Sequence, residues 1–315
     1  MNKTLEILSP ELIQKKEHWQ KCRQHWLAAC GSDNTRRSYS FALDAFLRAE
    51  QIDPWQAERI HAYDWVETLK QKNLKKTTIS ARIHSVSSFY MFASDYFNLE
   101  EINPFTRKMV PKVKRYEVAR VLTVAEIQQL LGQFDINDLL QLRDYALYGG
   151  YIVLGRRNHE WRTARANQFE SINGEIFYRW SGKGKTDELV EVPEALWQLL
   201  QAYIAASGGR SGSDYIFLNE IGAGPISESL VSHNIKKYVK AAGIDGNVRV
   251  HDLRHTAAFL RRLDGADVEE VRDFLGHESL NTTQIYLHKI VKKANDRGKS
   301  ICSLIHLGTD LGTDK

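Results

Sequence analysis

What most constrains the fold of this chain is the place where its apolar periodicity changes. Between residues 17 and 103 apolar side chains recur at helical spacing, and no strand-type alternation interrupts them. Trp26, Leu27 and Cys30 fit one helical face. Asn34-Thr35 offers an N-cap ahead of Tyr39, Leu43, Phe46 and Leu47. Ile60, Tyr63, Trp65, Val66 and Leu69 suit another helix, and Thr77-Thr78 opens a further one carrying Ile79, Ile83, Val86, Phe89, Tyr90 and Phe92. The pattern predicts an all-α domain with an aromatic-rich core. Asn103-Pro104 stops it, because a proline drives the preceding residue out of the helical region. Residues 105–120 are basic, carry Pro111 and have no apolar period, so they read as a linker.

From Thr123 the chain mixes both periods. Thr123-Val124-Ala125-Glu126 is a capping-box pattern ahead of Ile127, Leu130 and Leu131. Leu139 to Tyr148 reads as a buried helix. Glu175 to Trp180 alternates like a strand, Gly182-Lys183-Gly184 is a turn, and Leu189 to Val192 returns, which makes a hairpin. Helices are expected at 194–206, 228–242, 253–263, 268–274 and 282–290. Ile301, Leu304 and Ile305 give the tail a short amphipathic segment, which must bury its apolar face on something. The expected fold class is mainly α, with an all-α domain over 1–104, a basic linker over 105–120, an α+β domain with a small antiparallel sheet over 121–290, and a tail over 291–315. Two domains suit a chain of 315 residues.

Composition enters as a set of exclusions. With 43% hydrophobic and 26% charged residues the chain is globular rather than disordered. No stretch reaches the roughly 18 apolar residues of a membrane span, and the first residues contain no secretory h-region, so a cytoplasmic location is expected. Cys22, Cys30 and Cys302 are odd in number and lack metal spacing, which argues against a disulfide scaffold and a zinc ribbon. The net charge of +4 is mild, but it is unevenly placed. Lys70, Lys72, Lys75, Lys76 and Arg82 form one cluster. Arg107, Lys108, Lys112, Lys114, Arg115 and Arg120 form a second, and Lys289, Lys292, Lys293, Arg297 and Lys299 a third. These are either three solvated faces or a track for a polyanion backbone.

Four local strings carry chemistry. His251-Asp252-Leu253-Arg254-His255-Thr256 puts His251 and Arg254 on one helical face. It superficially resembles a zinc-binding HExxH string, but Asp252 stands where that chemistry needs a glutamate, so no metal is expected. Leu275-Gly276-His277 is followed by Tyr286, which taken alone at helical spacing reads as a core residue with its hydroxyl at the surface. Gly155-Arg156-Arg157-Asn158-His159-Glu160 suits either an anion site or a structural arginine–Glu160 pair. Lys183 stands at the hairpin turn, either as a solubilising tip or brought close to a ligand by its flanking glycines.

Together these strings resemble the tyrosine recombinase (phage integrase) family, including its Xer-type members. The resemblance runs from about Thr123 to His288, and the first part of the chain looks like that family's helical, SAM-like core-binding domain. It implies a site-specific DNA recombinase acting on double-stranded DNA through a 3′-phosphotyrosyl link, as a tetramer on paired sites, with no cofactor and no membrane. By motif, the catalytic residues are Arg157, Lys183, His251, Arg254, His277 and Tyr286. The arginines would hold the phosphate, His251 would accept a proton, Lys183 would act as general acid and Tyr286 would be the nucleophile. Lys75, Lys76, Arg82, Lys112, Lys114 and Arg115 are the candidate DNA contacts. The resemblance also implies a tail exchanged between protomers. With about 24 residues ahead of the helical domain, a simple core-site enzyme without an extra arm-binding domain is the expectation. The chain departs from the family pattern at Arg156, which replaces an apolar residue, and at His159, Trp161 and Gln168. A type IB topoisomerase-like nicking-resealing enzyme and a non-catalytic DNA-binding protein on the same scaffold are the alternatives. Neither a Walker-type loop nor a paired-carboxylate cluster is present in the sequence.

Overall fold

The computed structural model describes residues 10–100, 102–113, 120–180, 188–276, 301 and 304–305. Its contacts divide the chain into two units, Met1–Arg115 and Tyr116–Lys315. Lys114, Arg115, Lys183, His277, Tyr286 and the expected helix at 282–290 lie outside the described residues.

In the first unit four helices, α1 (Pro10–Ala28), α2 (Asp33–Glu50), α3 (Arg59–Gln71) and α4 (Lys76–Phe97), enclose an apolar core. The Ser32 hydroxyl, rather than Asn34 or Thr35, caps α2 by accepting the Thr35 N–H at 3.1 Å. α1 buries Trp19, Cys22 and Trp26, spaced three and four apart, while Cys30 falls beyond the helix end. α3 buries Ala62, Trp65, Val66 and Leu69 and turns Ile60 and Tyr63 to solvent. Aromatic rings join these faces. Phe46 meets Trp65 and Phe105 edge-on, with both centroid distances 5.2 Å.

The position of Phe105 corrects the expected start of the linker. α4 ends at Phe97 with Asn98 in the left-handed conformation, and the chain then returns to the core. The Asn103 amide donates to Ser87 Oγ at 2.7 Å, and a single helical turn at Arg107–Met109 buries Met109 beside Phe105. Residues 105–110 therefore belong to the helical core, because aromatic burial outweighs the local basic composition.

The second unit consists of α5 (Val124–Leu131), α6 (Leu139–Leu154), α7 (Asn158–Arg162), a sheet, α8 (Glu194–Ala206), α9 (Glu228–Ala241), α10 (Val250–Leu263) and α11 (Val268–Leu275). The capping box forms as the sequence implies. Thr123 Oγ accepts the Glu126 N–H at 3.2 Å, and the Glu126 carboxylate accepts the Thr123 N–H at 2.8 Å. Residue 120 is not a free member of the basic cluster, since Arg120 pairs with Glu126 and donates to the Val121 carbonyl at 2.8 Å. α6 is buried from Leu142 to Leu154 and forms the central post of the unit.

The sheet has three antiparallel strands in the order β1 (Phe169–Ile172), β2 (Glu175–Trp180) and β3 (Glu188–Val192). β2 and β3 are the expected hairpin, with Trp180 opposite Glu188. β1 is not announced by the sequence pattern: it is four residues long and gains its identity by pairing with β2. Ile301 and Ile305 are buried in the core of this same unit, and the Gln128 amide donates to the Leu304 carbonyl at 3.1 Å, so in the single chain this part of the tail docks in cis. Among the described residues no helix is long and apolar enough to cross a membrane.

Candidate active site

Two helix ends and the first turn of α10 bring the described catalytic candidates together. α6 closes at Gly155, whose φ of +61° and whose contact with the Phe274 ring exclude a side chain. Arg156 and Arg157 follow and diverge. Arg156 is 1% exposed, whereas the Arg157 side chain is 44% exposed and the residue occupies the N-cap position of α7. The Glu160 carboxylate accepts the Arg157 backbone N–H at 2.9 Å and its guanidinium at 2.9 Å. The arginine–Glu160 ion pair is thus present, and it holds Arg157 beside the site.

α10 supplies His251 and Arg254. Its first turn is tied by Arg249, which donates twice from its guanidinium and once from its backbone to the buried Asp252 carboxylate, at 2.8–3.0 Å. Burial alone would raise the Asp252 pKa, but these bonds overcome it and hold the carboxyl below its ordinary value. Thr256 Oγ accepts the Leu122 N–H at 3.0 Å and donates to the Asp252 carbonyl at 2.8 Å, anchoring the segment that enters the unit. Arg254 is 2% exposed and donates to the carbonyls of Gly155 and Leu275, each at 2.6 Å.

These contacts reveal an arrangement that spacing could not show. Three arginines reach three successive carbonyls at the end of α11: Arg156 reaches Phe274, Arg254 reaches Leu275, and Arg157 makes a longer 3.5 Å contact with Gly276. A helix C-terminus carries unpaired carbonyls and the negative end of the dipole, so it attracts and orients cations. Gly276 caps this end at φ +59°, with the Trp180 ring where a Cβ would stand. His277 is the next residue in sequence.

Burial first, and then the Arg254 guanidinium, lower the His251 pKa. His255, to which the sequence assigns no role, is 7% exposed and meets the His251 ring edge-on at 4.4 Å. Burial and then His251 push its pKa down to about 4. Both imidazoles therefore favour the neutral form near neutral pH, in which one ring nitrogen can accept a proton. Burial likewise brings Arg156 down to about 10, which leaves it charged at neutral pH.

The departures from the family pattern are accommodated locally. Trp161 is fully buried against Gly150, with its indole N–H on the Leu147 carbonyl at 3.0 Å. Gln168 accepts the Arg165 N–H at 2.8 Å. Among the described residues no group of three or more His, Cys, Asp or Glu side chains could hold a metal ion. Of the candidate DNA contacts, Lys75, Lys76 and Lys112 are exposed, and Arg82 lies over the Phe41 ring at 5.3 Å.

A helical unit followed by a mainly helical unit with a small antiparallel sheet matches the architecture of the tyrosine recombinases. The chain belongs to the phage integrase family: the model described as "Phage integrase family" matches residues 120–293, and "Phage integrase, N-terminal SAM-like domain" matches residues 20–95. Membership places it among enzymes that break and rejoin DNA. A tyrosine recombinase of Pseudothermotoga lettingae is 31% identical over 253 residues, covering 80% of this chain and 85% of its own. Tyrosine recombinase XerC of Oceanobacillus iheyensis is 31% identical over 230 residues, covering 71% and 74%. The fold also matches the XerH site-specific recombinase in a post-cleavage complex with palindromic difH, at a TM-score of 0.67 and 18% identity over 80% of this chain and 76% of that one. A lambda integrase(75-356) dimer bound to a COC' core site gives a TM-score of 0.65 at 16% identity over 85% and 96%. At such identities the structural likeness is one of fold.

Proposed function

We propose that this chain is a site-specific recombinase that cleaves and rejoins double-stranded DNA through a 3′-phosphotyrosyl intermediate at Tyr286, with neither metal nor ATP. The observation that carries the reading is the gathering of Arg157 and Arg254 at the carbonyl end of α11, one residue before His277. Attack on a phosphodiester builds charge on its nonbridging oxygens, and guanidinium groups held in place beforehand bind that charge most strongly in the transition state. The Tyr286 oxygen bonds to phosphorus while His251, neutral near pH 7, takes the phenolic proton. The bond from phosphorus to the 5′-oxygen breaks, its electron pair stays on that oxygen, and Lys183 supplies the proton. His277 donates to a phosphate oxygen. Religation reverses these steps with a different 5′-hydroxyl, and the phosphotyrosyl bond conserves the energy required.

Affinity for DNA comes from the exposed Lys75, Lys76 and Lys112, with Arg82, Lys114 and Arg115. Lys75 and Lys76 stand at the first turn of α4, where the helix dipole disfavours a cation and an adjacent phosphate would offset that cost. The working assembly is a tetramer on two paired sites. Exchange of tails would require Ile301 and Ile305 to leave their own unit for the same position on a neighbour.

Tyr286→Phe removes the nucleophilic oxygen and keeps the ring. The expected outcome on a denaturing gel with labelled substrate is complete loss of the covalent adduct with DNA binding retained. An undiminished adduct would move the nucleophile elsewhere. Recombinant joints, as against resealed nicks alone, separate a recombinase from a type IB topoisomerase-like enzyme.

A further inference from the structure

Arg156 has no part in the reaction as assigned above, yet the chain buries its guanidinium where the family pattern has an apolar side chain. A buried charge is costly unless its donors and its faces are matched. Here they are. Nε donates to the Leu154 carbonyl at 2.8 Å, and Nη2 reaches the Phe274 carbonyl. The guanidinium carbon lies 4.5 Å from the Trp180 ring centroid and 5.2 Å from that of Phe274. Cation–π contacts of this kind strengthen when desolvated.

The two rings belong to different elements. Trp180 is the last residue of β2, three positions before Lys183, and Phe274 lies in the last turn of α11, three positions before His277. Both rings are pressed against glycines. A Cβ at Gly155 would stand 2.6 Å from Phe274, and one at Gly276 would stand 2.4 Å from Trp180. Gly155, Arg156, Phe274, Gly276 and Trp180 thus form a closed circuit of contacts with no room for slack. The end of α11 has further cationic support, because Arg254 and Arg157 reach its carbonyls and Arg261 lies over Phe274 at 3.3 Å. The root of the hairpin is held to this circuit through Trp180.

We propose that Arg156 is a positioning residue that fixes the end of β2, at Trp180, against the turn bearing Arg157, and that general-acid catalysis by Lys183 depends on it. The proposal rests on the catalytic roles assigned above. A planar guanidinium suits the task because its faces stack on rings while its edge donates to carbonyls, and a flexible apolar chain of equal length does only the first of these.

The test compares two substrates in single-turnover cleavage. One is ordinary DNA. The other carries sulfur in place of the bridging 5′-oxygen at the scissile phosphate. A thiolate departs with the electron pair and needs no proton, so this substrate does not need a general acid. Arg156→Met is expected to bind DNA normally, to cleave the ordinary substrate about 10- to 100-fold more slowly, and to cleave the sulfur substrate at nearly the native rate. Arg156→Lys, which keeps the charge and changes volume little, should show the same selective loss in weaker form and serves if the methionine variant folds poorly. Equal losses on both substrates, or no loss on either, would overturn the proposal. Lys183→Ala is the control for the underlying reading. If the sulfur substrate fails to rescue it, the general-acid assignment falls and the Arg156 proposal falls with it. If Lys183→Ala is rescued and the Arg156 variants are not, only the positioning role is wrong.

Discussion

The two units of this chain bury different things. In the first, Ser85 is the one buried polar side chain among the described residues, and the core is a mesh of aromatic rings around Phe46, Trp65 and Phe89. In the second, Arg143, Arg156, Arg254, Arg261 and Arg262 are all buried, together with Asp144, Asp252 and His255. Four of those arginines donate to backbone carbonyls at or beside the ends of α6, α10 and α11. A rigid apolar core is enough to hold the helices of the first unit together. A unit that must hold several cations close together for a reaction needs them anchored, and helix C-termini supply the acceptors.

This contrast can be broken in several ways. The largest effect should come from the apolar side: Trp65→Ala should lower the stability of the first unit by about 3–5 kcal/mol, as large core truncations do. Urea unfolding followed by fluorescence would measure it, and a loss below about 1 kcal/mol would mean that the mesh is not the source of stability. On the charged side, Arg157→Ala should slow single-turnover cleavage by about 10²–10³, with a smaller loss at Arg156. If Arg156→Ala is tenfold worse than Arg157→Ala, the two arginines have been assigned in the wrong order.

A third test uses pH. The folded-state pKa of His255, about 4, lies below the ordinary value of 6.5, so its neutral form is favoured by folding. The associated stability is present above pH 6.5 and is lost as pH falls towards 4, because the unfolded chain binds the proton first. Between pH 7 and pH 5 this loss comes to about 2 kcal/mol. Equilibrium unfolding of His255→Leu should lack that part of the slope, and an unchanged slope would reject the assignment. The smallest effect concerns the surface. Neutralising Lys75, Lys76 and Lys112 should flatten the dependence of log K on log[salt] by about 0.9 for each DNA phosphate that then keeps its counterion. An unchanged slope would take these lysines off the DNA backbone.

Much of the fold was legible before the structure, because helices, caps and hairpins depend on neighbours a few positions apart. Thr123 and Glu126 announce α5, and alternation alone marks β2 at Glu175–Trp180. The family strings also name candidate site residues, of which Arg157, His251 and Arg254 lie among the described ones. What local pattern could not settle are contacts between residues distant in sequence. Phe105 looks like linker until it meets Phe46 and Trp65. β1 is too short to declare itself without β2. Arg156 and Arg157 are adjacent and chemically identical, and only the folded chain sends one between aromatic residues and the other towards solvent. Arg156 and Arg157 meet the end of α11 from 118 and 119 positions away and Arg254 from 21, and no period in the sequence encodes that meeting. Their selection is a property of the whole packed unit. A buried guanidinium is stable only where carbonyls and ring faces from separate elements arrive together.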